Sequence, residues 1–163
     1  MTTSYSRPGQ SHYFAAVFSR ADKDWRGAEV DLTGAGNIDD LIDAAHDAAE
    51  GDELALLCVE AEDEWFGIVR MEGVGDPRVF LSDARAGSLD PVGELFRELA
   101  GLPPEAETDL GVHPAGDLEL LEDLGIGSDE LLELSMEEGV LPAETLMVIA
   151  ERLNFADELD RLR

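Results

Sequence analysis

The stretch that most constrains the fold is "YFAAVF", residues 13–18, which is apolar on both faces. Successive side chains of a strand point to opposite sides, so such a run needs cover above and below and belongs inside a sheet. After the polar turn Asp22–Lys23–Asp24 the pattern alternates, with Ala28, Val30 and Leu32 on one face and Glu29 and Asp31 on the other. The two segments read as a hairpin.

A helix follows, with Asn37 as its N-cap, Asp39 and Asp40 in its first turn and Gly51 past its end. Its apolar side is Leu41, Ile42, Ala45, Ala48 and Ala49. Leu54–Val59 is the next strand, a turn at Ala61–Asp63 returns the chain along Trp65–Met71, and a turn at Gly73–Asp76 leads into "PRVFLS". The acids of "EAEDE" precede the aromatic pair Trp65–Phe66. That pair reads as the start of a strand, with Trp65, Gly67, Val69 and Met71 on one face and Phe66, Ile68 and Arg70 on the other. The alternative is an exposed aromatic platform for a base or ligand, against which the adjacent acids weigh because they repel a phosphate backbone. "LDPVGELFRELAG" then starts a second helix, with Asp90 as cap, Pro91 in the first helical position and Gly101 just after the end.

The order β-β-α-β-β-β-α predicts an α+β fold: a five-stranded antiparallel sheet with two helices, plus a small C-terminal all-helical segment. In element order alone it is similar to the longin and roadblock-like (profilin-type) domains, which serve as adaptors and dimerisation modules. Residues 1–11 read as a disordered tail, 12–100 as the sheet domain, 101–116 as a Pro- and Gly-rich linker, and 117–163 as the helical segment. The helical pieces are Asp117–Leu124 stopped by Gly125; Asp129–Glu138 capped by Ser128 and stopped by Gly139; Ala143–Leu153 behind Pro142; and Phe155–Leu162 after Asn154. Its apolar positions (Leu118, Leu121, Leu131, Leu134, Leu146, Ile149, Leu153 and Leu159) suit a small cluster that leans on the sheet or on a partner.

Charge narrows the function. The chain carries 38 acids against 11 bases, Lys23 is its one lysine, and Asp117 to Glu151 holds no base at all. Nucleic-acid affinity comes largely from cations that displace counterions at phosphates, so direct binding to nucleic acid or to an anionic membrane is not expected. A basic protein partner suits this surface; acidity that merely keeps the chain soluble is the plain alternative. The single cysteine, Cys58, sits in an apolar run and reads as a buried thiol in a reducing compartment. No stretch has the length and apolarity of a secretory signal or membrane span, so a cytoplasmic protein is expected.

The residues assign no catalytic, cofactor-binding or metal-binding group. One cysteine and no His-x-Glu exclude the zinc deaminase site and the other Cys–His zinc sites. "DLTGAGNIDDLI" departs from a calcium loop at Ala35 and Ile42, and as a dinucleotide fingerprint it has Asp39 where the third glycine belongs. His46, near Asp43, Asp47 and Glu50, reads as a solvated helix back, with metal binding as the alternative. Arg78, Ser82, Asp83 and Arg85, around the fifth strand, form the most distinctive polar cluster; turn formation and capping explain it as well as a site does.

"YFAAVFSR", "DWRGAEVDL", "DEWFGIVRMEG", "DPRVFLSDARA" and "GDLELLEDLGI" followed by "ELLEL" together resemble one family, the bacterial tRNA adenosine deaminase-associated proteins. The resemblance runs from about His12 to Leu162. It implies association with a zinc deaminase that makes inosine in the tRNA anticodon; it does not imply that this chain performs the reaction, and it supplies no catalytic residues. The combined expectation is a non-enzymatic partner that docks on a basic deaminase. The contact is expected along Asp117, Glu119, Glu122, Asp123, Asp129, Glu130, Glu133, Glu137 and Glu138. The alternatives are a homodimeric longin- or roadblock-like adaptor and an enzyme of unknown chemistry.

Overall fold

The computed structural model describes residues 13–32, 34–61, 65–73, 75–83, 91–101, 114–137 and 139–162. The expected tail at 1–11, most of the expected linker, most of the turn after Ala61, Asp90, Arg85 and Glu138 lie outside them.

The first hairpin joins β1 (Phe14–Ala21) to β2 (Asp24–Glu29) through Asp22 and Lys23, with Asp22 in the left-handed region at φ 61°. Helix α1 (Ile38–Ala49) starts where Asn37 accepts a 2.9 Å hydrogen bond from the Asp40 backbone N–H, which satisfies one of the free N–H groups of the first turn. The chain then forms β3 (Leu54–Ala61), β4 (Trp65–Glu72) and β5 (Arg78–Leu81), followed by α2 (Pro91–Leu99).

A sixth strand, β6 (Ala115–Gly116), corrects the expected count of five. It pairs with Phe80 and Leu81 of β5 in a stretch that reads as linker. Gly116 makes this approach feasible: its φ is +95°, and a Cβ there would stand 2.4 Å from the Val79 carbonyl oxygen. The sheet is antiparallel throughout in the order β2-β1-β3-β4-β5-β6. At its β2 edge Asp24, Arg26 and Glu29 are exposed, and such charges discourage addition of another strand.

Both faces of the sheet are covered. Ala15, Val17, Leu57, Val59, Trp65, Val69, Val79 and Leu81 point into one core with Leu41, Ala45 and Ala49 of α1 and Val92, Leu95 and Phe96 of α2. Ala16, Phe18, Leu56, Cys58, Phe66, Ile68 and Phe80 point into the other. Trp65 and Phe66 are therefore core residues on opposite faces, both buried, and form no exposed platform.

The second core is closed by the C-terminal segment. A turn and a one-turn 3-10 helix (Glu122–Leu124) lead into α3 (Ser128–Met136), α4 (Pro142–Leu153) and α5 (Ala156–Leu162). The helix expected over Asp117–Leu124 is thus reduced to its last turn. Ser128 is the first residue of α3, not its cap; Gly127 takes that position, and its carbonyl accepts the Leu131 N–H. Phe155 wedges this layer against the sheet, stacked on Phe18 at 4.4 Å between ring centroids and tilted against Trp25 at 5.0 Å. The whole is a helix–sheet–helix sandwich, α+β, with six strands and five α-helices among the described residues.

Candidate functional site

The polar cluster around β5 separates into pieces with local tasks. Ser82 and Asp83 are buried at the end of the strand. The Ser82 hydroxyl accepts the Phe66 N–H at 2.9 Å while the Ser82 N–H donates to the Phe66 carbonyl, which extends the β4–β5 ladder by one rung. Arg78 begins the same strand. Its Nε donates to Asp117 Oδ2 at 2.6 Å and its Nη2 to the Glu119 carbonyl, so it holds the start of the C-terminal layer. Arg78 thus stands at the other end of β5 from Ser82 and Asp83.

The acids of the C-terminal layer fall into two groups. Asp117, Asp123 and Glu130 are engaged by arginines of the same chain: Arg78, Arg70 and Arg152. The Arg70 contact is the most developed. This guanidinium is only 2 % exposed and grips both Asp123 carboxylate oxygens, at 2.7 and 2.8 Å; it also donates to Glu72 and to the Leu120 carbonyl. Its bond to Asp123 raises the Arg70 pKa further, and the same bond holds the Asp123 carboxyl below the usual carboxylate range. Glu119, Glu122, Asp129, Glu133 and Glu137 form the second group and face solvent. Glu130, Glu133, Leu134 and Glu137 line an open groove of about 410 Å³ along α3.

Elsewhere arginines are also engaged within the chain. Arg26 donates to Asp52, Glu50 and the Ala49 carbonyl at the C-terminal end of α1, where a cation suits the helix dipole. Asp52 lies below its ordinary range because it accepts from the Ser19 hydroxyl at 2.7 Å and from Arg26. Arg20 lies over the Trp25 ring at 5.1 Å, and Arg161 pairs with Glu158. Arg26, Arg70, Arg78 and Arg152 thus each link separate elements, while Arg20 and Arg161 are engaged locally.

Cys58 is fully buried, and burial pushes its thiol far up from the ordinary value, away from thiolate chemistry. His46, Asp43, Asp47 and Glu50 lie on the exposed back of α1; among the described residues no three such groups stand together as metal ligands. No helix among them is long and apolar enough to cross a membrane.

Reading by spacing missed Arg70 as an anchor, because its partner Asp123 lies 53 positions away. It also missed the exposed apolar side chains Met136, Leu141 and Val148. A helical projection gives part of that signal: Val148 falls on the side of α4 away from Leu146, Ile149 and Leu153, and Leu141, seven positions earlier, caps the helix.

Residues 13–156, from the approach to β1 to the first residue of α5, match the Rv3753c-like tRNA adenosine deaminase-associated proteins. The chain belongs to this family. Protein Rv3753c of Mycobacterium tuberculosis is 36% identical to it over 103 residues, which cover 62% of this chain and 59% of that protein. The match thus spans under two thirds of the relative's length. No solved structure matches. The stretch matched to the Rv3753c-like family contains all six strands and the Arg70–Asp123, Arg78–Asp117 and Arg152–Glu130 contacts.

Proposed function

We propose that this chain is a non-enzymatic, acidic accessory protein that binds a tRNA adenosine deaminase and modulates it. Membership in a family named for association with that enzyme supports the partner. One observation carries the mode of binding. Arg26, Arg70, Arg78, Arg152 and Arg161 are paired with carboxylates of this chain, while Glu119, Glu122, Asp129, Glu133 and Glu137 remain exposed on the C-terminal layer. A deaminase that grips tRNA presents cations to phosphates, and this polyanionic face offers the matching charge. Asp117, Asp123 and Glu130 serve mainly to hold the layer that displays the others. Docking on the tRNA-binding surface would compete with tRNA; docking beside it would stabilise the enzyme. On this reading both proteins act in the cytoplasm.

The test is titration of purified deaminase with this chain at low and physiological salt, with and without tRNA. Binding that weakens as salt rises is expected, because charge steering reaches only about 8 Å at physiological ionic strength. Absence of binding at low salt would overturn the proposal. Loss of binding on adding tRNA identifies competition, and a ternary complex identifies docking beside the tRNA site.

A further inference from the structure

Met136 and Leu141 are each 49% exposed and Val148 is 37% exposed. Among the described residues these are the exposed large apolar side chains, and all fall between the end of α3 and the middle of α4. Isolated apolar residues on a surface are ordinary; these three are gathered within one short stretch in which Glu137, Glu144 and Glu151 are also exposed. Helix α4 already buries Leu146, Ile149, Ala150 and Leu153 in the core below it. Its outward side carries Glu144, Val148 and Glu151 at spacings of three and four, and Leu141, the capping residue just before the helix, extends this to a stripe on which apolar and acidic groups alternate. At about 1.5 Å per residue the stripe is roughly 15 Å long, close to three turns of a facing helix. Glu133 and Glu137 stand exposed at the end of α3, and the one base on α4, Arg152, is held by Glu130 and by the Gly125 carbonyl.

We infer that the outward side of α3 and α4 is the docking surface for a cationic amphipathic helix of the deaminase. Leu141, Val148 and Met136 meet its apolar side chains, and Glu133, Glu137 and Glu151 meet its lysines or arginines. Charge complementarity selects this occupant: an apolar stripe flanked by acids and without a free base rejects an acidic helix and accepts a basic one. The flexible Met136 side chain suits a contact formed by repacking. This inference rests on the proposed function and deepens it.

The experiment measures the affinity of full-length variants for the deaminase at fixed low salt. Val148→Asp is expected to weaken binding by at least ~10-fold, as removal of an anchor at the centre of an interface does. Met136→Ser paired with Leu141→Ser should act in the same direction. The triple variant Glu133→Gln, Glu137→Gln, Glu151→Gln should flatten the salt dependence. A control on α1, Asp39→Asn with Asp43→Asn and Asp47→Asn, removes equal charge and should change affinity less than about 2-fold, since distant surface substitutions have small effects. Hydrogen exchange of the wild-type complex gives a readout independent of variant folding, with new protection expected over α3 and α4.

Wild-type binding with unchanged Val148→Asp affinity and no protection there overturns this inference and leaves the proposed function standing. No binding by the wild-type chain overturns both. A wild-type homodimer that Val148→Asp dissociates, with deaminase binding unaffected, assigns the surface to a second copy of the chain and likewise overturns the inference.

Discussion

Removal of the Asp123 carboxylate tests whether the C-terminal layer is held to the sheet by the Arg70 grip. Asp123→Ala deletes two charge-assisted bonds, at 2.7 and 2.8 Å, from a guanidinium that is 2 % exposed. Breaking a fully buried ion pair costs about 3–5 kcal/mol because a charge is left without its partner. A pair exposed at both ends is worth only about 0.2–1 kcal/mol. Here the arginine end is buried but the Asp123 side chain is 64% exposed, and Glu72 and the Leu120 carbonyl still hold the guanidinium after the change. The expected cost therefore lies between those limits, at about 1–2 kcal/mol.

Arg70→Met provides the second arm of the cycle. It removes the buried charge together with its need for a counter-ion and fills the site with an apolar chain beside Phe66, Ile68 and Leu120. In that background Asp123 is an ordinary solvated carboxylate, so Asp123→Ala should fall within about 0.5 kcal/mol of neutral, as surface substitutions do. Urea denaturation followed by tryptophan fluorescence and far-ultraviolet circular dichroism measures all four proteins. The coupling should equal most of the single-variant loss. A cost for Asp123→Ala that persists undiminished with Met at position 70, or no cost in the wild-type background, would refute the assignment of Asp123 to this grip.

Gly67 faces Phe96 so closely that a Cβ would lie 2.5 Å from two ring carbons; Gly67→Ala should destabilise by about 1–3 kcal/mol through overpacking, and Phe96→Leu in the same chain should recover part of the loss in denaturant titrations. Phe155→Ala removes the ring stacked on Phe18 and should cost about 3–5 kcal/mol in a single cooperative unfolding transition; two separate transitions would show that the helical layer folds apart from the sheet. Asp123 and Asp52 both titrate below the ordinary Asp value in the folded protein, so their contribution is present above the unfolded pKa near 4 and is lost as pH falls through the folded values; the melting temperature should drop below about pH 4, less steeply in Asp123→Ala. Cys58 should resist thiol reagents in the native protein and react on unfolding, at a rate that follows global opening.

The sheet was readable from the residues because its long strands are apolar runs bounded by polar turns, and successive side chains of a strand take opposite faces. The split of β4 into Trp65, Val69 and Met71 against Phe66 and Ile68 follows from alternation alone. Caps were equally local: Asn37, Pro91 and Gly101 act within a turn of themselves. Local pattern failed where distant groups decided the backbone. "DLELLEDL" looks helical, yet the Glu119 and Leu120 carbonyls accept from Arg78 and Arg70, 41 and 50 positions earlier. Asp117 turns its side chain onto the Glu119 N–H, and the segment closes as a turn that presents Leu120 and Leu121 to the core. Two-residue β6 has no period to read, and only its glycine hints at the close approach. The acids expected to contact a partner were identifiable as a group, but which of them are taken up internally depends on arginines remote in sequence.

That division governs how a partner contact can be mapped. Deleting 117–163 would uncover Ala16, Phe18, Leu56, Phe66, Ile68 and Phe80, a whole apolar sheet face, and the sticky remnant would bind proteins for reasons unrelated to charge. The excised segment would in turn lose the surface against which Leu146, Ile149, Leu153 and Phe155 pack. Truncation therefore misleads in both directions. Neutralising Asp123 also misleads, since weakened binding could then report a loosened layer. Exposed positions such as Glu133, Glu137, Val148 and Glu151 avoid this confusion, because they touch neither the arginine anchors nor the core. A loss of affinity at those residues that is larger than that of the charge-matched α1 control, with urea stability unchanged, reports the contact itself.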